Sequence, residues 1–220
     1  MGRDWESHVY FEHRPLTPAL VEDVLRRLAG AGLRLGAPAG EDFPALRGFR
    51  LDGSGPVVID AEIDELLRSR PPPVGSGYGV LPLLVQRPGL SGEGFASLTF
   101  ARPDPATGLD GATLVVDGAL FRSDEEAALD AAFAWFGVLC ESLDAAYGWA
   151  DWETASFLVA APSRREVRAG SLPRLMRFNA LGRGLFASLP AGAIERAPRL
   201  HRAGDLVIFE RPASEQALST

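Results

Sequence analysis

The sequence predicts an α+β fold: an antiparallel or mixed sheet with helices packed on one face, in an order that fits a ferredoxin-like sandwich. Three observations lead there. The chain opens on an alternating, β-forming segment followed at once by a capped amphipathic one, a β-α start. Its later strand-like segments come in pairs around turn sequences, as hairpins do, rather than singly between helices. One apolar helix of about 23 residues, about 34 Å long at 1.5 Å per residue, can span a whole sheet. The 220 residues fit one domain, 1–220, with a candidate loop or lobe boundary near 70–79. A chain of that length buries a core without disulfides or metal.

The elements follow in order. Residues 7–13, SHVYFEH, alternate weakly and read as a strand that Arg14-Pro15 breaks. Thr17 caps a helix with Pro18 at its first position; Leu20, Val21, Val24, Leu25 and Leu28 form its stripe, and Gly30 and Gly32 end it. Residues 36–56 read as loop with a short strand at 46–51, residues 57–59 as a strand, and residues 61–68 as a short helix. RPPPVGSGYG, 70–79, has loop or linker composition. VLPLLVQ, 80–86, is a strand; FASLTFA, 95–101, and ATLVVDGALF, 112–121, pair as an antiparallel hairpin with a long tip.

Ser123-x-x-Glu126 reads as a capping box opening the long helix, over about residues 124–146, with Tyr147-Gly148 ending it. TASFLVAA, 154–161, reads as a strand, and SLPRLMRFNALGRGLFASL, 171–189, as a helix capped by Ser171 and interrupted by Gly182 and Gly184. Residues 198–202 and 205–210 form a closing hairpin around an Ala-Gly-Asp turn, and a polar tail follows.

Charge narrows the function. The 22 basic residues are all Arg, which removes Schiff-base, P-loop and other Lys-dependent chemistry. The net charge of −7 disfavours nucleic acid and suits a basic protein partner. Cys140, the sole cysteine, excludes an internal disulfide and a cysteine zinc cage; deep in the long helix, it reads as inert. The opening MGRDWESHVYFEH is no signal peptide and no run reaches about 18 apolar residues, so no membrane is expected and the cytoplasm is the expected compartment.

Few constellations could carry chemistry. His8 and His13, five apart on one strand, point to opposite faces and cannot share a metal, and nothing ties His201 to either. Gly75-x-Gly77-x-Gly79 lacks the strand, helix and Lys of a phosphate loop. Arg164, Arg165, Arg168, Arg174 and Arg177 make a basic stretch that suits either a substrate anion or contact with acids of the same chain. Those acids are Glu141, Asp144, Asp151 and Glu153, gathered at the long helix's end against its macrodipole. Aromatics gather there too. Trp135 lies inside the helix; Tyr147, Trp149 and Trp152 suit packing over its end and a partner interface equally, and Trp5 suits the same sheet edge. The expectation is a protein that is not an enzyme and has no metal and no cofactor. Its partner-binding face would be Tyr147, Trp149, Asp151, Trp152 and Glu153.

Residues 123–210 bear a resemblance. A long helix ends in AAYGWADWE; a strand and an LPRL…FNALG helix follow, then a terminal GDLVIF hairpin. This arrangement resembles the immunity proteins of bacterial polymorphic-toxin and type VI secretion systems. The all-Arg, Ala-, Gly- and Pro-heavy composition suggests a GC-rich bacterial genome and concerns codons more than function. The resemblance implies a cytosolic protein that binds one cognate toxin and occludes its active site, with acidity matched to a basic toxin. Two other readings stand beside it: a small-molecule-binding or enzymatic ferredoxin-like domain using His8, His201 and the Arg164–Arg177 stretch, and a structural subunit of a larger defence or secretion assembly.

Overall fold

Alternation builds the middle of the sheet. In WESHVYF every second side chain is buried, and the segment forms strand β1 (Trp5–Phe11), two residues upstream of the expected range. The computed structural model describes residues 4–36, 49–52, 55–58, 81–86, 94–101, 107–122, 124–153, 162–190 and 192–212. Helix α1 (Pro18–Gly30) follows as expected, with the Thr17 hydroxyl accepting from the Leu20 amide at 3.3 Å. Gly32, at φ 91°, turns the chain into a short strand not foreseen from sequence, β2 (Leu33–Leu35). A separate two-stranded hairpin, β3 (Phe49–Asp52) and β4 (Gly55–Val58), comes next. The expected helix at 61–68, the 70–79 boundary, the Gly75–Gly79 segment and the strand at 154–161 lie outside the described residues.

Strands β5 (Leu81–Val85), β6 (Gly94–Ala101) and β7 (Asp110–Val116) then form, the last two as the expected hairpin. The end of that second segment, Gly118–Phe121, is a 3-10 turn and not strand. Helix α2 (Glu125–Leu143) is capped by Asp124, whose carboxylate accepts from the Ala127 amide at 3.0 Å; the expected cap Ser123 lies outside the described residues. Strand β8 (Tyr147–Trp152), α3 (Arg164–Arg168), β9 (Phe178–Leu181), α4 (Arg183–Phe186), β10 (Leu200–Ala203) and β11 (Leu206–Glu210) complete the order.

Nine strands form one sheet in the order β10-β11-β9-β8-β1-β7-β6-β5-β2, with every pairing antiparallel. Its centre answers the expected order, with β8 as the fourth strand in place of the strand expected at 154–161. Along the chain β1-α1-β6-β7-α2-β8 alternate, and in the sheet the four strands stand fourth, first, third, second, with α1 and α2 packed together. This is the ferredoxin-like arrangement, extended on one flank by β5 and β2 and on the other by β9, β11 and β10.

Two hydrophobic layers flank the sheet. The larger joins α1, α2 and the inward residues of the central strands, with Trp135 donating its indole N–H to the Ala31 carbonyl at 2.9 Å. The smaller lies under the chain from Val167 to Ala197 and takes Tyr147, Trp149, Leu181, Val207 and Phe209. Strands β9 and β11 are thus buried on both faces: FNAL and LVIFE bury every residue. That corrects the helix expected over 171–189. A strand covered on both sides reads as a continuous apolar run, and such a run looks like a buried helix. What forms instead is an extended lead-in, β9, and the single helical turn of α4.

Candidate functional site

The segment singled out in the sequence, YGWADWE, begins where α2 stops. Asp144 takes the left-handed conformation, φ 53°, three residues before the helix was expected to end, and the chain reverses into β8. Strand β8 is not a surface segment. It pairs with β1 on one side, Trp5 opposite Trp152 and Tyr10 opposite Tyr147, and with β9 on the other.

This divides the five residues expected to form one face. Tyr147 and Trp149 are buried, at 0% and 1% exposure, in the smaller layer. Tyr147 stacks on Tyr10 with ring centres 6.0 Å apart, and Trp149 stacks on His8 at 4.2 Å. Trp152 points the other way, half-buried, edge-on to Trp5 at 5.4 Å and to Phe121 at 4.9 Å. Asp151 is half-buried, and its carboxylate accepts from the Trp152 amide at 2.8 Å and the Arg177 amide at 3.1 Å. Glu153 is exposed. Of the five, Glu153 is exposed, Asp151 and Trp152 are half-buried on opposite faces of β8, and the Tyr147 and Trp149 rings belong to the core. Trp5, expected at a sheet edge, sits fully buried on the fifth of nine strands.

Burial raises the Tyr147 hydroxyl far above its ordinary value, and the neighbouring Tyr10 adds to the rise. Burial raises Tyr10 as well, with the Trp149 indole offsetting part of it. Cys140, fully buried in α2, has its thiol pushed well up, first by burial and then by the adjacent Glu141 charge. A thiol held protonated is a poor nucleophile.

The expected acids do not converge. Glu141 pairs with His201 at 2.5 Å, Asp144 stands alone at the helix end, and Asp151 and Glu153 lie at the far end of β8. The Arg stretch also divides. Arg164 and Arg168 hold Glu12 at 2.8 and 3.0 Å, while Arg177 meets Glu210 at 3.2 Å and Glu125 at 3.8 Å. These are contacts with acids of the same chain, though the acids are not those of 141–153. Arg199, not singled out from sequence, is bound by Glu126, by Asp130 at 2.7 Å and by Glu210 at 2.5 Å. His8 bonds Glu6 at 3.0 Å and Thr113 at 3.2 Å; His13 lies beyond the end of β1. Among the described residues, no group of three His, Cys, Asp or Glu side chains is placed to hold a metal, and no helix is long and apolar enough to cross a membrane.

A cleft of about 320 Å³ opens at the α2 end, between Asp144–Ala146, Glu12–His13, α3, α4 and the β10–β11 turn. It takes in Arg168 from the expected Arg stretch, but neither His8 nor His201. Sequence reasoning missed it because its walls come from five separated segments. The only local signals were two glycines, Gly182 and Gly184, read as helix interruptions.

No protein-family model matches the chain, and no curated protein matches it in sequence. Among solved structures, the Pseudomonas aeruginosa T6SS protein PA0821 is similar to it at 12% identity, covering 95% of this chain, with a TM-score of 0.46. This chain spans 66% of that protein's length.

Proposed function

We propose that the protein is a non-enzymatic immunity protein that neutralises a cognate bacterial toxin of a polymorphic-toxin or type VI secretion system by covering the toxin's active site. One observation carries the reading. The three segments on which the resemblance rests, AAYGWADWE, LPRL…FNALG and GDLVIF, are separated in sequence but contribute the adjacent strands β8, β9 and β11, the middle one as a strand where a helix was expected. They act as one structural unit, so the resemblance concerns a connected piece of fold and not three scattered words.

The residues of that unit have physical reasons to be what they are. Asn179, fully buried, accepts from the Met176 amide and donates to the Met176 carbonyl, both at 2.7 Å, and so satisfies its amide while pinning the entry to β9. Gly182 passes so close to the preceding loop that an added Cβ would lie 3.1 Å from the Ala146 carbonyl oxygen.

The mechanism is occlusion. A net charge of −7 steers a basic toxin to the surface, and contacts made after docking slow its release. The test is co-expression with the toxin encoded beside this chain. Growth restored and a stoichiometric complex on gel filtration are expected; continued toxicity with no complex overturns the reading.

A further inference from the structure

Asp144 stands in the wall of the cleft with several local rules against it. Its left-handed φ of 53° is unfavourable for a residue with a side chain, and glycine is the usual occupant at a helix end. It is an exposed anion at the negative end of a 19-residue helix, where Arg14 takes the Ser142 carbonyl but nothing pairs with the Asp144 carboxylate. Its carboxylate has no hydrogen-bond or ion-pair partner among the described residues. The other carboxylates of the cleft are engaged: Glu12 by Arg164 and Arg168, and Asp205 by Arg183 at 3.6 Å.

The space itself is kept by glycine. Gly184 is not left-handed, and an added Cβ would meet only the Val167 carbonyl oxygen at 3.5 Å, an ordinary contact. Neither the backbone nor the packing requires glycine there. Its missing side chain leaves the cleft wide.

We propose that this cleft receives an arginine side chain of the protein partner, with the guanidinium seated on the Asp144 carboxylate. The partner's being a protein rests on the immunity reading. A cation here offsets the Asp144 charge, which the Arg14 contact to the Ser142 carbonyl leaves unpaired. Guanidinium is the weakly hydrated cation that binds carboxylate as a planar fork. Arg168, Arg183 and His13 share these walls, but each faces a carboxylate, His13 and Arg168 on Glu12 and Arg183 on Asp205, so the carboxylate left open is that of Asp144.

The experiment titrates the full chain with N-acetyl-arginine amide and follows backbone amide shifts by NMR. The citrulline amide, of the same shape without charge, is the control. Saturable shifts at Asp144, Gly182 and Gly184 are expected with the arginine compound alone. Affinity should fall about ten-fold or more in Asp144→Asn and Asp144→Gly, the loss expected of a charged contact. Asp144→Gly suits the left-handed conformation, so lost binding there is not lost folding. Gly184→Leu should also abolish the response by filling the cleft with the carboxylate intact. Equal response to citrulline, shifts confined to the Glu126–Asp130 end, or unchanged affinity in both Asp144 variants would overturn the cleft. Protection from the toxin with no arginine response overturns the cleft alone; failure of the unaltered chain to protect overturns the immunity reading and this occupant with it.

Discussion

The two ends of α2 treat negative charge in opposite ways. At the start, Glu125, Glu126 and Asp130 lie near the positive end of the helix dipole and meet Arg177 and Arg199, which also clamp Glu210 at the end of β11. Each of these acids has a cation. At the finish, the Arg14 guanidinium donates to the Ser142 carbonyl, but the Asp144 carboxylate sits against the dipole, on a left-handed residue, with no ion-pair partner among the described residues. The first arrangement lowers the energy of the fold and the second raises it. Tolerated local cost beside a cleft marks a place where something other than stability set the residue.

The largest effect should come from the paired end. Arg199→Met leaves Glu210, whose side chain is 7% exposed, without one of its two cations. Breaking a buried pair costs about 3–5 kcal/mol. With Arg177 remaining on Glu210, and with Glu126 and Asp130 exposed, the loss should be nearer 2 kcal/mol by urea denaturation. No measurable loss would mean that this end is not the stabilising one, and the comparison would fail. At the other end, Gly182→Ala should cost about 1–2 kcal/mol, because its Cβ would press on the Ala145 and Ala146 carbonyls at 3.2 and 3.1 Å, backbone atoms that cannot swing aside.

This contrast was half legible in the sequence. Asp144 at the end of the long helix, and its conflict with the dipole, could be read directly because helix ends are set by local rules. So could β1, α1, β6, β7 and α2 of the central order, since strands with one face toward each environment alternate; β8, with no alternation, was missed, the strand after α2 being expected at 154–161. The β9 strand was lost for the converse reason: FNAL is buried on both faces and has no period. The face expected at Tyr147 and Trp149 was lost because aromatic residues serve a core and an interface equally well, and only the layer from Val167 to Ala197 decides between them. The cleft could not be read at all. No spacing rule connects Glu12, Asp144 and Gly184.

The phenols beneath the cleft end give a smaller effect of opposite sign. The Tyr147 hydroxyl is buried with no hydrogen-bond partner, so Tyr147→Phe removes an unsatisfied group and should stabilise by about 1 kcal/mol. It should also change the alkaline limb. Tyr10 and Tyr147 have folded-state values raised above the unfolded one, about 10. The folded state therefore keeps protons that the unfolded state releases. Stability should be flat up to about pH 10 and fall as pH rises through the raised values, less steeply in Tyr147→Phe. Denaturation midpoints from pH 8 to 11 measure this, and an identical limb in the variant would show that Tyr147 ionises freely.

The smallest effect bears most directly on the comparison. Asp144→Gly removes an anion from the negative end of the helix and a side chain from a left-handed residue, while adding freedom to the unfolded chain. The left-handed cost is of order 1–2 kcal/mol for a general residue but smaller for Asp, and glycine's unfolded-state entropy returns part of it. The net gain should be about 0.5–1 kcal/mol, visible as a raised thermal midpoint. Asp144→Asn isolates the charge, since Asn tolerates the same backbone; it should recover only the dipole share, about 0.3–0.5 kcal/mol at low salt, and lose that gain at high salt. If Asp144→Gly instead destabilises the protein, then Asp144 holds a structural contact, and the two ends of the helix differ in geometry but not in purpose.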